Sequence, residues 1–461
     1  MKRLISAVVA LGLCLTTMAQ KSDIVKTGLN FGPLPAVAYD ADKGFQYGAL
    51  LNIYDYGDGT TYPNYRSKLY LETSFFTKGS QLYTISYDNK ALIPGVRWSS
   101  AFSTAVDKAM DFYGFNGYSS WIDQDRLAIG KANKKGAQDP SQYIYTPFYR
   151  LDRVMVLAKT DFLGSINPHL KWEAGYHFFW FRQRPINRES INKGKDDFNV
   201  FPDSQSTLFE DYLRWGLVTP EEADGGIVSS VRLGLMYDTR DKEGAPTRGI
   251  WAEGHLTAAP KWLGSSVGFY RWSMTMRQYL PIVKNDILTF AYRLNYEGTL
   301  GTSAPYYVLP FITVMGENFD KDGMGGYRTV RGILRDRVIG LDMATYTAEL
   351  RWRFTRFQLG KQNVALGLSA FSDGSMVTRG RDMSYKGTGL TDPTYEAYIS
   401  RGREKDIPHV TVGAGFRFIM NENFIVALEY GTPVTHLMNK SNPLYNQDGT
   451  GAFYINTGFL F

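Results

Sequence analysis

Leu288-Thr289-Phe290-Ala291-Tyr292-Arg293-Leu294-Asn295-Tyr296-Glu297-Gly298 is the stretch that decides the fold. Successive side chains of a strand point to opposite faces. Leu288, Phe290, Tyr292, Leu294 and Tyr296 therefore share one face, which suits lipid, while Thr289, Ala291, Arg293, Asn295 and Glu297 share the other, which suits water. The split recurs at 342–354, where Ala344, Tyr346, Ala348, Leu350, Trp352 and Phe354 oppose Thr345, Thr347, Glu349, Arg351 and Arg353. It recurs again at 410–420. A soluble sandwich also alternates, but a dry core does not tolerate several ionisable groups in a row on its inner face.

Segments of about ten residues match the spanning length of a tilted barrel strand. About sixteen such segments can be traced, near 31–40, 44–55, 66–77, 80–89, 93–104, 150–163, 169–182, 227–239, 249–259, 267–281, 286–299, 341–354, 362–373, 408–420, 423–432 and 453–461. An even strand number with short turns at one end and long loops at the other is the pattern of bacterial outer-membrane barrels. With the first strand running outward, the long connections 105–149, 183–226, 300–340, 374–407 and 433–452 all follow odd strands, and the connections after even strands are short. A missed strand would break that parity. The fold expected is an all-β transmembrane antiparallel barrel of about 16 strands with long extracellular loops.

Composition agrees. Aromatic residues make up 15% of the chain while mean hydropathy is only −0.27, natural for strands with one lipid face and one wet face. Lys2-Arg3, an apolar run at 4–15 and Thr17-Met18-Ala19 read as a secretory signal over 1–19, leaving 20–461 as the barrel domain. Leu13 before Cys14 argues against a lipoprotein. Loss of the signal removes the one cysteine, so no disulfide is expected. Beyond the signal no run reaches the roughly 20 apolar residues of a membrane helix, so a membrane role requires a closed barrel. The net charge of +6 is modest, without the clustered basic face that nucleic-acid binding needs. The setting expected is the outer membrane of a Gram-negative bacterium, with its lipid as the first partner.

The connection between the eleventh and twelfth strands contains Gly325-Gly326-Tyr327-Arg328-Thr329-Val330-Arg331-Gly332-Ile333. It resembles the glycine-pair and Val-Arg-Gly-aromatic motif of the BamA/TamA family of surface-antigen barrels, which insert or translocate other outer-membrane proteins. Tyr237-Asp238-Thr239-Arg240-Asp241 with Pro246-Thr247-Arg248-Gly249, Phe371-Ser372-Asp373-Gly374 and Thr347-Ala348-Glu349-Leu350 resemble further family segments in the same order; Phe112-Tyr113-Gly114-Phe115-Asn116 is a weaker match. Two departures stand out. Ile333 replaces the family's aromatic residue, and only about a dozen residues separate Ala19 from the first strand, leaving no room there for the family's periplasmic POTRA domains.

By strand parity Glu349 and Asp373 face the lumen. The resemblance implies that Val330, Arg331 and Gly332 fold back inside, with the Arg331 guanidinium held between those two carboxylates, a geometry its planar fork suits. Pro33 and Pro35 remove donors from the first strand, and Phe459 and Phe461 end the last one like the C-terminal signal of outer-membrane proteins. These four residues mark a weak lateral seam if the first and last strands close the barrel; the same prolines also fit a first strand that simply starts late. His169, His177, His255, His409 and His436 lack helical metal-ligand spacing, and neither a Gly-x-Ser-x-Gly elbow nor a phosphate loop occurs. No metal, no cofactor and no enzymatic activity are expected. The function implied is assistance to insertion or export of outer-membrane or surface components, with client proteins and a separate periplasmic partner; the alternative is a channel or structural barrel without assembly activity.

Overall fold

A computed structural model describes residues 25–457 apart from 41–43, 63, 133–142, 196–199, 243–244, 284–285, 317–323, 327–328, 361 and 422–423. The proposed signal over 1–19, Tyr327, Arg328, Phe459 and Phe461 lie outside the described residues.

The described residues form one antiparallel sheet of sixteen strands, each hydrogen-bonded to its neighbour in sequence. The first, β1, runs from Leu29–Pro35 into Ala38–Asp40. Both pieces pair with β2 (Gly44–Asp55) in one unshifted register, so they are a single strand. There follow β3 (Ser67–Phe76), β4 (Gln81–Ile93), β5 (Val96–Asp111), β6 (Arg150–Ser165), β7 (Leu170–Pro185) and β8 (Gly225–Asp238). The second half comprises β9 (Gly249–Ala259), β10 (Phe269–Val283), β11 (Leu288–Leu300), β12 (Asp342–Leu359), β13 (Gln362–Arg379), β14 (His409–Met420), β15 (Phe424–Pro433) and β16 (Ala452–Thr457). Every segment expected from alternation is a strand within the described residues, the last one as far as Thr457. Several run further than expected toward the loop end, notably β5 and β13, because their polar-apolar alternation continues into residues that support the loops.

The two faces separate as alternation requires. On β11, Leu294 is 50% exposed and Arg293 1%. Leu235, Met274, Leu350 and Val412 join Leu294 on the outer face, while Arg232, Glu297, Glu349 and Arg417 are buried on the inner one.

The long connections do not behave as bare surface loops. They pack into a cap over one end of the barrel with an aromatic core of its own, in which Phe112, Phe115, Phe209, Tyr212, Trp215 and Tyr306 are buried. Phe112 and Tyr212 meet edge to face at 5.2 Å, a favourable quadrupole arrangement. The helix Leu208–Arg214 that carries Phe209 and Tyr212 starts at a capping box: the Thr207 hydroxyl accepts from the Glu210 amide, and the Thr207 amide donates to the Glu210 carboxylate. Arg337, fully buried, donates to the carbonyls of Gly117, Ser120 and Gln447 at 2.7, 3.1 and 3.0 Å, tying three loops together. Burial works against charge on Asp448 beside it, but His409 and Arg337 outweigh that cost and hold its carboxyl below the ordinary value. These loops have no periodicity, so the cap leaves no trace in the alternation.

The opposite end is made of tight turns. Asp286, at the β10–β11 turn, has φ 57, a left-handed conformation that Asp and Asn tolerate. Partial burial alone would raise its carboxyl, but the Thr247 hydroxyl, the Lys242 ammonium and Arg356 bring it down to about 2. A depressed carboxylate stabilises the fold above its unfolded value and loses that contribution as pH falls toward the folded one. Asp286→Asn, which keeps the turn conformation, is therefore expected to lower the barrel's melting temperature at pH 7, with the difference from the parent shrinking between about pH 5 and pH 2. Thermal melts in detergent at a series of pH values check this; an unchanged gap across that window would exclude it.

Candidate lumen clamp and seam

Residues 325–326 and 329–334 form a compact knot that presents Arg331 to the lumen wall. Gly325 and Gly326 adopt φ +125 and +76, and a Cβ on Gly325 would lie 2.1 Å from the Leu334 carbonyl oxygen. Only glycine fits that approach. The Thr329 hydroxyl accepts from the Gly325 amide at 2.7 Å, and the Gly326 amide donates to the Ile333 carbonyl at 3.2 Å. Val330 and Ile333 are buried with Met324, Val338 and Met343, so isoleucine fills the tip without an aromatic ring.

Arg331 is fully buried. Its Nε donates to Asp373 Oδ2 at 2.8 Å and its Nη2 to Asp373 Oδ1 at 3.0 Å, a bidentate pair, while its own amide reaches Asp373 Oδ2 at 3.0 Å. Nη1 donates to Glu429 Oε1 at 2.6 Å. The Phe371 ring lies under the guanidinium at 3.5 Å from its centroid. Glu349 stands further off, 3.9 Å from Nη2, and pairs instead with Arg417 and with Arg351 at 3.4 Å. Arg417 also reaches Glu429 at 3.0 Å. Three arginines thus balance three carboxylates, and a buried ionic cluster holds only when its charges compensate in this way.

Gly332 seats the knot against the wall. Its φ is +103, and a Cβ there would meet the backbone of Gly431 on β15 at 2.5 Å. The Gly332 amide donates to the Tyr454 hydroxyl on β16 at 3.0 Å. The loop is therefore fastened to β13, β15 and the last strand.

The seam lies beside it. Among the described residues β16 meets β1 at one ladder pair, Ile455 with Tyr39, so the ring is not zipped shut. The Ala36 amide donates to Gly48 on β2, and backbone groups alternate sides along a strand. Odd positions of β1 therefore turn their backbone toward β16. Pro33 and Pro35 are odd positions, opposite Leu51 and Ala49, so the donors they lack belong to the edge of β1 turned away from β2.

A model of the Omp85 superfamily domain matches residues 172–461. The chain belongs to the Omp85 superfamily. No curated protein matches it. Among solved structures this Omp85 chain is similar to CdiB from Escherichia coli, with 12% identity, 95% of this chain and 63% of that one covered, and a TM-score of 0.51. BamA from Haemophilus ducreyi lacking POTRA domains 1–3 aligns at 14% identity over 94% of this chain and 70% of that one, with a TM-score of 0.48. The Omp85 chain thus spans under two thirds of the E. coli CdiB length. It is a Gram-negative outer-membrane β-barrel protein.

In this Omp85 barrel the expected pairing of Arg331 with Asp373 is direct, whereas Glu349 supports the cluster mainly through Arg417. Glu429 and Tyr454 were not singled out from sequence. Both sit in segments where alternation was legible: Ile425, Ala427 and Glu429 share the inner face of β15, so the inward charge could have been found by carrying the parity one strand further.

Proposed function

We propose that this Omp85 barrel assists insertion or export of outer-membrane or surface components by parting its β1–β16 seam, while the Arg331 knot holds the lumen closed and the wall in register. The observation that carries this reading is the seam: one ladder pair among the described residues, with Pro33 and Pro35 withholding donors along the same edge of β1. Membership of a superfamily of membrane assembly and translocation barrels supports it. In this reading residues 1–19 are an export leader, the surrounding lipid and client outer-membrane proteins are the partners, a separate periplasmic protein delivers the clients, and the protein is not an enzyme.

Depleting the protein and quantifying the outer-membrane proteome tests the proposal. A fall in a defined subset of outer-membrane or surface proteins is expected. An unchanged proteome overturns it, and a steady pore of porin size in planar bilayers would favour a channel instead.

A further inference from the structure

We infer that the lumen wall carries a divalent-metal site formed by Glu173 of β7 with Glu253 and His255 of β9. One ligand atom from each residue lies within 4.8 Å of the other two, and all three side chains are more than nine-tenths buried. Glu253 and His255 are two apart on a strand and so share its inner face. Glu173 comes from two strands away. It reaches them because Gly234 of β8 stands between, in register with Glu173 on one side and His255 on the other. A Cβ on Gly234 would lie 2.4 Å from His255 Cδ2 and 3.0 Å from Glu173 Oε2. Glycine weakens a strand interior and often marks a close approach; here the missing side chain is what brings three potential ligands together.

A cation here would take the place of the His255–Glu173 hydrogen bond. His255 Nε2 and Glu173 Oε2 are 2.5 Å apart, and His255 Nδ1 is 3.3 Å from the Ser273 hydroxyl, which orients the ring with Nε2 toward the carboxylates. Glu253 Oε1 accepts from Arg277 at 3.2 Å. Glu173 Oε1 and Glu253 Oε2 are buried without a hydrogen-bond partner. Two buried carboxylates with free oxygens beside a single imidazole are costly unless compensated. Arg277 offsets one charge; a bound divalent ion with a neutral His255 would offset the other with one positive charge to spare. Mixed imidazole and carboxylate ligation suits first-row divalent ions. The rival occupant is a proton on His255, making a simple ion pair with Glu173. Helical histidine spacing does not reveal this cluster, because Glu253 and His255 are two apart on a strand.

Co²⁺ titration of the chelator-stripped barrel in detergent micelles tests the site. One Co²⁺ per chain is expected, with visible ligand-field absorption that disappears in Glu253→Gln and in Gly234→Ala while both variants keep the heat-modifiable migration of a folded barrel. Ser273→Ala should weaken binding about 10–100-fold. Absence of Co²⁺ absorption at millimolar metal, or absorption that survives both variants, overturns the proposal. Neither result depends on the assembly activity.

Discussion

Arg331→Ala is expected to lower the temperature at which the barrel loses its compact, heat-modifiable form more than any other single substitution in the loops. Asp373 is fully buried, and both of its side-chain oxygens are held by Arg331. Removing the guanidinium leaves that carboxylate with a single backbone amide as its hydrogen-bond donor and Arg293 as a more distant charge. Breaking a buried ion pair from one side costs about 3–5 kcal/mol, because the remaining charge stays uncompensated. Glu349 and Glu429 suffer less, since Arg417 reaches both. Arg331→Lys keeps the charge but loses the bidentate fork, so an intermediate loss is expected. Exchanging Arg331 and Asp373 should rescue poorly, because an acid at 331 would then face Glu429. Semi-native electrophoresis across a temperature series measures all of these, and a parental midpoint for Arg331→Ala would show that the clamp does not hold the barrel.

Tying the seam should have the largest effect on activity. Tyr39 and Ile455 are ladder partners, and directly opposed residues of an antiparallel pair have Cα atoms about 5.5 Å apart, within disulfide range. The double substitution Tyr39→Cys with Ile455→Cys is expected to give a barrel that inserts normally and is inactive when oxidised, with activity restored by reductant. The chain's one cysteine, Cys14, lies in the proposed leader, so no native thiol of the exported barrel should compete. A control pair at Ala49 and Thr73, opposed across β2 and β3, should remain active when oxidised. Client levels in cells depleted of the parent protein provide the readout, and full activity of the oxidised 39–455 barrel would eliminate seam opening as the mechanism.

The wall of this barrel was legible from sequence because a lipid face and a wet lumen impose a period of two on each strand, as 288–298 shows most clearly. Loop parity then placed the Arg331 segment between β11 and β12 without any three-dimensional information. Long-range convergence was harder to read. Glu429 lies 98 residues from Arg331, and what joins them is the curvature of the sheet. The cap is a sharper case. Phe112, Tyr212 and Tyr306 come from three connections without periodicity, so apolar residues meant for a core look like scattered loop aromatics. Gly234 shows a third limit: a glycine in a strand reads as weakness until its neighbours across two registers are known.

The prolines of β1 bear on how the protein survives as well as on how it opens. A strand with a free edge is a template for joining to other chains, and such edges invite irreversible association. At positions 33 and 35 the β1 edge offers carbonyls without matching amides, so an approaching strand can donate there and receives nothing back. Pairing along that stretch is half-strength by construction. A barrel that must expose an edge to its surroundings thus carries one on which a guest can alight and from which it can leave, with less risk that two barrels will fuse through their own seams.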